Sequence, residues 1–324
     1  MTRPQHAWTG RRVLVSGCRG FLGSWLVRLL QAHGAQVIGM TDPGRAAAQP
    51  STVADIPVEA QLHDVASLAA ILRAHAPDLV FHLAAQSLPS AARCQPHLTF
   101  EVNARGTWNL LEAIRSVAPT TKLVLASSDS VYGENDGTPF TEEMPVAPDF
   151  PYEASKACAE LAARCYARSF GMPVTFARFC NIYGPGDAHL GRLVSGTVEA
   201  VVRGESPRLR GDGSSIRNYL YVEDATLALL RLAQALDGEI ESGEAFNFCD
   251  DTPVTSADLV RRILVVAKRP DLQMIISPGI PREISIKRAS AERARRVLGW
   301  RPTVTLDEGL RRTIAWHRER HVDQ

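Results

Sequence analysis

Tyr152-Glu153-Ala154-Ser155-Lys156 places a phenol and an ammonium four residues apart. On a helix that spacing puts both groups on one face. A phenol ordinarily titrates near pH ~10 and is a poor base at neutrality. An ammonium held nearby favours the phenolate and lowers that value. Such a tyrosine takes a proton from an alcohol as hydride leaves the same carbon, and returns it when a ketone is reduced. Lys156 is also suited to hold the ribose of a nicotinamide cofactor and so orient its ring. Alone, the pair is weak evidence, because a surface aromatic–cation pair has the same spacing. It gains weight from Ser127-Ser128-Asp129-Ser130-Val131-Tyr132-Gly133, which follows an apolar run at 122–126. A serine at the C-terminal end of a parallel strand stands where such sheets place ligands. Its hydroxyl can hydrogen-bond the reacting oxygen.

The elements that must position these groups follow from periodicity. Short apolar runs at 12–16, 36–40, 79–83, 122–126 and 174–177 read as strands. Helical spacing fills 21–32, 98–117 and 152–170 between them. Continuous apolar strands alternating with helices imply a parallel sheet covered on both faces. The fold class expected is α/β, a doubly wound Rossmann sheet with a smaller loop-rich substrate lobe. The dinucleotide-binding domain should be 1–178, with 219–250 rejoining it. Residues 179–218 and 251–324 should form the lobe.

Gly17-Cys18-Arg19-Gly20-Phe21-Leu22-Gly23 joins the first strand to the first helix. A diphosphate approaching a helix N-terminus meets N–H groups and the positive end of the dipole. Glycines there leave room for that approach and for helix–strand packing. The competing reading is a simple tight turn. An acidic residue at the end of the second strand would accept ribose hydroxyls, whereas arginine favours a 2′-phosphate. Asp42 with Arg19 and Arg45 gives a mixed signal, so the cofactor is expected to be NAD or NADP.

Composition bounds the partners. The chain has 45% hydrophobic and 22% charged residues and a formal net charge of +1. No strong basic excess points to nucleic acid or an anionic membrane. The six cysteines include no C-x-x-C pair, so no metal site is expected and the thiols read as reduced. With no signal-like apolar run at the start and no stretch long enough to span a bilayer, a cytoplasmic, soluble protein is expected. His189 and Arg192 follow the Gly184-Pro185-Gly186 turn and either face substrate or belong to a surface loop.

Three glycines three apart resemble the loop of the extended short-chain dehydrogenase/reductase family, the nucleotide-sugar-modifying branch. His82-Leu83-Ala84-Ala85-Gln86, Asn103-Ala104-Arg105-Gly106-Thr107, Arg178-Phe179-Cys180-Asn181-Ile182-Tyr183-Gly184-Pro185, the 211–224 segment and Leu298-Gly299-Trp300-Arg301-Pro302 resemble family segments in order. The resemblance implies that Ser128 is the third catalytic member, with Ser127 its nearest competitor. It implies cofactor contacts at Thr41 (the family's acidic position), Asp64-Val65, Leu83, Ala84, Ala85, Asn103 and Phe179. An equal reading of Asp64 is a helix N-cap. Substrate contacts would fall on Gln86, Ser128, Asn181 and Arg217, the last on the nucleotide phosphates. The substrate would be a nucleotide-diphosphate sugar, and the assembly a homodimer formed through the 103–117 and 152–170 helices.

The nearest flavour resembles the CDP-glucose 4,6-dehydratase group. Such enzymes need an acid and a base beyond the triad. Asp129 fits the acid, but Ser130 stands where the base is wanted and cannot abstract a C5 proton. A C4 epimerase or 4-ketoreductase therefore ranks first and a 4,6-dehydratase second, with Glu134 as a possible substitute carboxylate. An inactive dinucleotide-binding regulator is the reading from a different class.

Overall fold

The computed structural model describes residues 5–44, 53–278 and 284–322; Arg45 lies outside them. The chain forms two compact units, Met1–Tyr132 with Pro145–Arg178 and Thr226–Phe246, and Gly133–Met144 with Phe179–Ala225 and Asn247–Gln324.

The first unit begins β1 (Arg12–Ser16), α1 (Phe21–Ala32), β2 (Gln36–Thr41), β3 (Ile56–Glu59), α2 (Val65–His75) and β4 (Leu79–His82). Next come α3 (Pro89–Cys94), α4 (Pro96–Phe100), a π-helical turn (Glu101–Arg105) and α5 (Gly106–Val117). The segment closes with β5 (Lys122–Ser128), α6 (Pro151–Phe170) and β6 (Val174–Phe179). The strands β4, β5 and β6 are buried along almost their whole length, as a sheet covered on both faces requires. The stretch expected as one helix over 98–117 is broken. Pro96 opens α4, and the π-turn inserts before Gly106.

The second unit contains β7 (Asn181–Tyr183), α7 (Leu193–Val202), β8 (Arg208–Arg210), β9 (Ile216–Arg217) and β10 (Tyr219–Tyr221). The helix α8 (Val222–Ala235) and the strand β11 (Ala245–Phe248) come next in the chain, where Thr226–Phe246 belongs to the first unit. Then come β12 (Val254–Thr255), α9 (Ser256–Ala267), β13 (Ile275–Ser277), β14 (Ile286–Lys287), α10 (Glu292–Leu298) and α11 (Leu306–Val322). Its strands form small sheets, β10–β7, β12–β9–β14 and β13–β8. The buried Asp224 carboxylate accepts from the amides of Thr303 (2.9 Å) and Val304 (3.0 Å), tying the 301–305 loop down.

Among the described residues the main sheet has seven strands, in the order β11–β6–β5–β4–β1–β2–β3. The pairs β1–β2, β1–β4, β2–β3 and β4–β5 run parallel. This is the expected doubly wound layout. Strand order reverses between β1 and β4, so a crevice opens at their C-terminal ends. One face packs Leu14, Val80, Leu123 and Phe176 against Leu72 of α2, Leu111 of α5 and Ala163 of α6.

Candidate active site

The glycine loop sits at the reversal point. Gly17 has φ +71°, and a Cβ there would lie 2.9 Å from Ala84 backbone atoms. At Gly23 a Cβ would lie 2.2 Å from the Gly17 carbonyl oxygen. These contacts require glycine for close packing of β1, α1 and β4. Gly20 is the N-cap of α1 and supplies no side-chain cap, and an N-terminus without a bulky cap gives a phosphate room to approach the positive end of the helix. The cradle fits a dinucleotide. Phe21 is buried beneath it, and Arg19 and Leu22 are half-buried.

Thr41 ends β2 half-buried. Asp42 follows, with Oδ1 held by the Gly44 amide at 2.9 Å. That bond fixes the orientation of the carboxylate just past the end of β2. Asp64 is the N-cap of α2; its oxygens accept from the Ser67 amide (3.1 Å) and hydroxyl (2.5 Å), and both bonds hold the carboxyl below its usual range. The capping reading accounts for Asp64 as it stands. Val65, Leu83, Ala84 and Ala85 are half-buried.

Lys156 is buried on α6, and its Nζ donates to the Ala126 carbonyl of β5 at 2.7 Å. Burial pulls its pKa down to about 8, opposed by the negative charge of Glu160. One bond thus fixes the ammonium two residues before Ser128. Tyr152 opens the same helix one turn earlier, behind Pro151 at the first helical position. Ser128 Oγ accepts from the Ser130 amide (3.1 Å) and donates to Asp129 Oδ1 (3.3 Å). Asp129 and Ser130 are buried. Ser127 Oγ is buried with no hydrogen-bond partner among the described residues.

Glu160 lies one further turn along α6. Arg178 grips it through Nε (3.0 Å) and Nη2 (2.6 Å), and donates from Nη1 to the Tyr132 hydroxyl at 2.7 Å. Both charged side chains are almost fully buried. The motif arginine at 178 thus anchors α6 through Glu160.

Asn103 sits on the π-turn. Its side chain brackets Gln86, accepting from the Gln86 amide (2.7 Å) and donating to the Gln86 carbonyl (3.0 Å). It also donates to Ser155 Oγ at 2.9 Å. His82, which sequence reasoning placed only inside a motif, joins this network through Thr107. The readable signal was a lone polar side chain closing an apolar strand.

The other expected contacts lie in the second unit. Phe179 is buried and meets Phe248, ring centroids 5.6 Å apart. Asn181 is half-buried on β7. Arg192 pairs with the buried Asp187 at 3.2 Å. Arg217 donates to the carbonyls of Ile216 (2.8 Å), Ser285 (3.0 Å) and Ile284. Glu134 belongs to this unit, and its Oε1 accepts from the Ser285 amide at 3.2 Å. Among the described residues no cluster of His, Cys, Asp and Glu is arranged to hold a metal, and no helix is long and apolar enough to cross a membrane.

A family model described as GDP-mannose 4,6 dehydratase matches residues 14–313. The UDP-glucose 4-epimerase of Mycolicibacterium smegmatis is 32% identical over 320 residues, covering 95% of this chain and 99% of the relative. The dTDP-glucose 4,6-dehydratase 1 of Escherichia coli is 30% identical over 342 residues, covering 94% and 92%. The solved structure of DesIV, a dTDP-glucose 4,6-dehydratase of Streptomyces venezuelae with NAD bound, superposes with a TM-score of 0.86 at 29% identity, covering 96% of this chain and 98% of that one.

Proposed function

The chain belongs to the GDP-mannose 4,6 dehydratase family, and from that premise we propose a nucleotide-sugar enzyme acting at sugar C4, as a 4-epimerase or 4-ketoreductase. The observation that carries this is Lys156 held on the Ala126 carbonyl, next to Ser128 and on the helix of Tyr152. Bound NAD(P) would supply the hydride acceptor and donor. The residues do the rest. Ser128 orients the C4 oxygen, and Tyr152 takes its proton as C4–H is broken and returns it when C4=O is reduced. The Lys156 ammonium stabilises the phenolate. Asn181, Arg192 and Arg217 are proposed to hold the sugar and its diphosphate, the guanidinium forks matching phosphate oxygens.

Ser130 favours this reading over the alternative, a 4,6-dehydratase. A hydroxyl cannot remove the C5 proton, and Glu134, whose Oε1 accepts from the Ser285 amide, is the carboxylate that keeps the dehydratase as the second reading. The test is incubation with a panel of nucleotide sugars in D2O, followed by NMR of the products. Inverted C4 without deuterium marks an epimerase. Deuterium at C5 with loss of the C6 oxygen marks a dehydratase and overturns the first reading. Tyr152→Phe should abolish either reaction, and full retained activity would refute the mechanism.

Two further parts belong to the same proposal. A homodimer is supported by Leu98, Phe100, Trp108 and Leu161, exposed at 43%, 36%, 42% and 59% on α4, α5 and α6. A cytoplasmic location is supported by the six cysteines, which form no disulfide.

A further inference from the structure

A buried chain of polar groups runs beneath the catalytic strand ends, and the proton transfer does not use it. His82 closes β4 and is 1% exposed. Its Nδ1 lies 2.7 Å from Ser16 Oγ, and its Nε2 lies 3.1 Å from Thr107 Oγ1. The direction of every bond follows from counting protons. The Thr107 hydroxyl has one proton and gives it to the Asn103 carbonyl at 2.6 Å. Towards His82 it can therefore only accept, so Nε2 carries a hydrogen. Ser16 Oγ accepts from the amides of Leu83 (3.2 Å) and Ala84 (3.3 Å). Its own proton then goes to Nδ1. A neutral imidazole offers one donor and one acceptor, and only the Nε2–H tautomer satisfies both neighbours. Burial, with the charge of Lys156 adding to it, lowers the pKa to about 3 and keeps the ring neutral.

The two ends of this chain matter. At one end, Ser16 precedes the glycine loop, and Leu83 and Ala84 follow β4. At the other, the Asn103 side chain holds both sides of the Gln86 backbone and the Ser155 hydroxyl. Ser155 in turn donates to the Tyr152 carbonyl at 2.7 Å. An apolar side chain of the same size would fill the space without the cost of burying a polar ring, so the ring's hydrogen bonds need a reason. We infer that His82 is a positioning residue: as its neutral Nε2–H tautomer it locks the π-turn bearing Asn103 to the ends of β1 and β4, and through Asn103 sets the first turn of the helix that carries Tyr152.

The first test is independent of substrate. Nitrogen-15 NMR of the histidine-labelled, unaltered protein should show His82 as the Nε2–H tautomer at pH 6, 7 and 8. An Nδ1–H tautomer or an imidazolium overturns the inference. The kinetic test rests on the C4 reading above, and loss of that reading leaves the tautomer result standing. His82→Phe and Thr107→Val should each lower kcat about tenfold or more with KM changed less than about twofold, because they misplace Tyr152 rather than remove a substrate contact. The double variant should be no worse than the poorer single one, as members of one chain are non-additive. His82→Gln, which still carries a donor for Thr107, should retain more kcat than His82→Phe. Additive losses, a loss confined to KM, or equal activity in the Phe and Gln variants would refute the positioning role.

Discussion

Burial sets the charge of Lys156, and one carbonyl oxygen sets its place. Burial pulls the pKa of the ammonium, held on the Ala126 carbonyl, down to about 8. Activity should therefore fall on the alkaline side with an apparent pKa near 8, as the charge that supports the Tyr152 phenolate is lost. A rate profile flat to pH 9.5 (about where a lightly perturbed lysine would still be charged) would contradict this. His82 carries the opposite limb, and there it affects stability. Its folded pKa of about 3 lies below the ordinary 6.5, so the unfolded chain binds a proton that the folded one refuses. Stability from this group is complete above pH 6.5 and declines as pH falls towards 3, by up to about 1.4 kcal/mol per unit. Urea midpoints at pH 7 and pH 5 should show that decline, and His82→Phe should reduce it. At Asp42 the readout is cofactor choice. Asp42→Ala should raise the NADP to NAD ratio of kcat/KM by about tenfold or more, by removing a carboxylate that repels a 2′-phosphate. Tyr152, Lys156 and the glycines were legible because their spacing is local. The bonds of Asn103 were not, because Gln86 and Ser155 lie 17 and 52 positions away.

Among the elements, the strands and main helices of the sheet were legible because apolar runs of fixed period need only near neighbours. Two departures have physical causes. β3 alternates half-buried and exposed residues around Pro57 at the sheet edge, so its run is neither continuous nor strongly apolar. The π-turn keeps the apolar face of 98–117 nearly intact while adding a residue to one turn, so periodicity alone reads straight through it. Close packing makes α1 sensitive to volume. Gly23→Ala forces a methyl onto the Gly17 carbonyl and should cost about 1–3 kcal/mol in urea unfolding, with weaker dinucleotide binding measured by fluorescence titration. An unchanged midpoint would show that the loop yields.

Apolar side chains are exposed on α4, α5 and α6, and both α4 and α5 pack on α6. Light scattering at micromolar concentration should report a dimer, and Trp108→Glu with Leu161→Glu should give a folded monomer. A monomeric unaltered protein would remove the dimer from the proposal. The sheet itself also fixes an order of events during synthesis. β6 is buried along its length and bonds across 69 positions to Glu244, at the edge of β11. A ribosome adding roughly 5–20 residues per second needs several seconds to cover that gap. Until then the nascent chain carries an open, apolar strand edge, a natural holding site for a chaperone and the point at which crowding would divert it into aggregates.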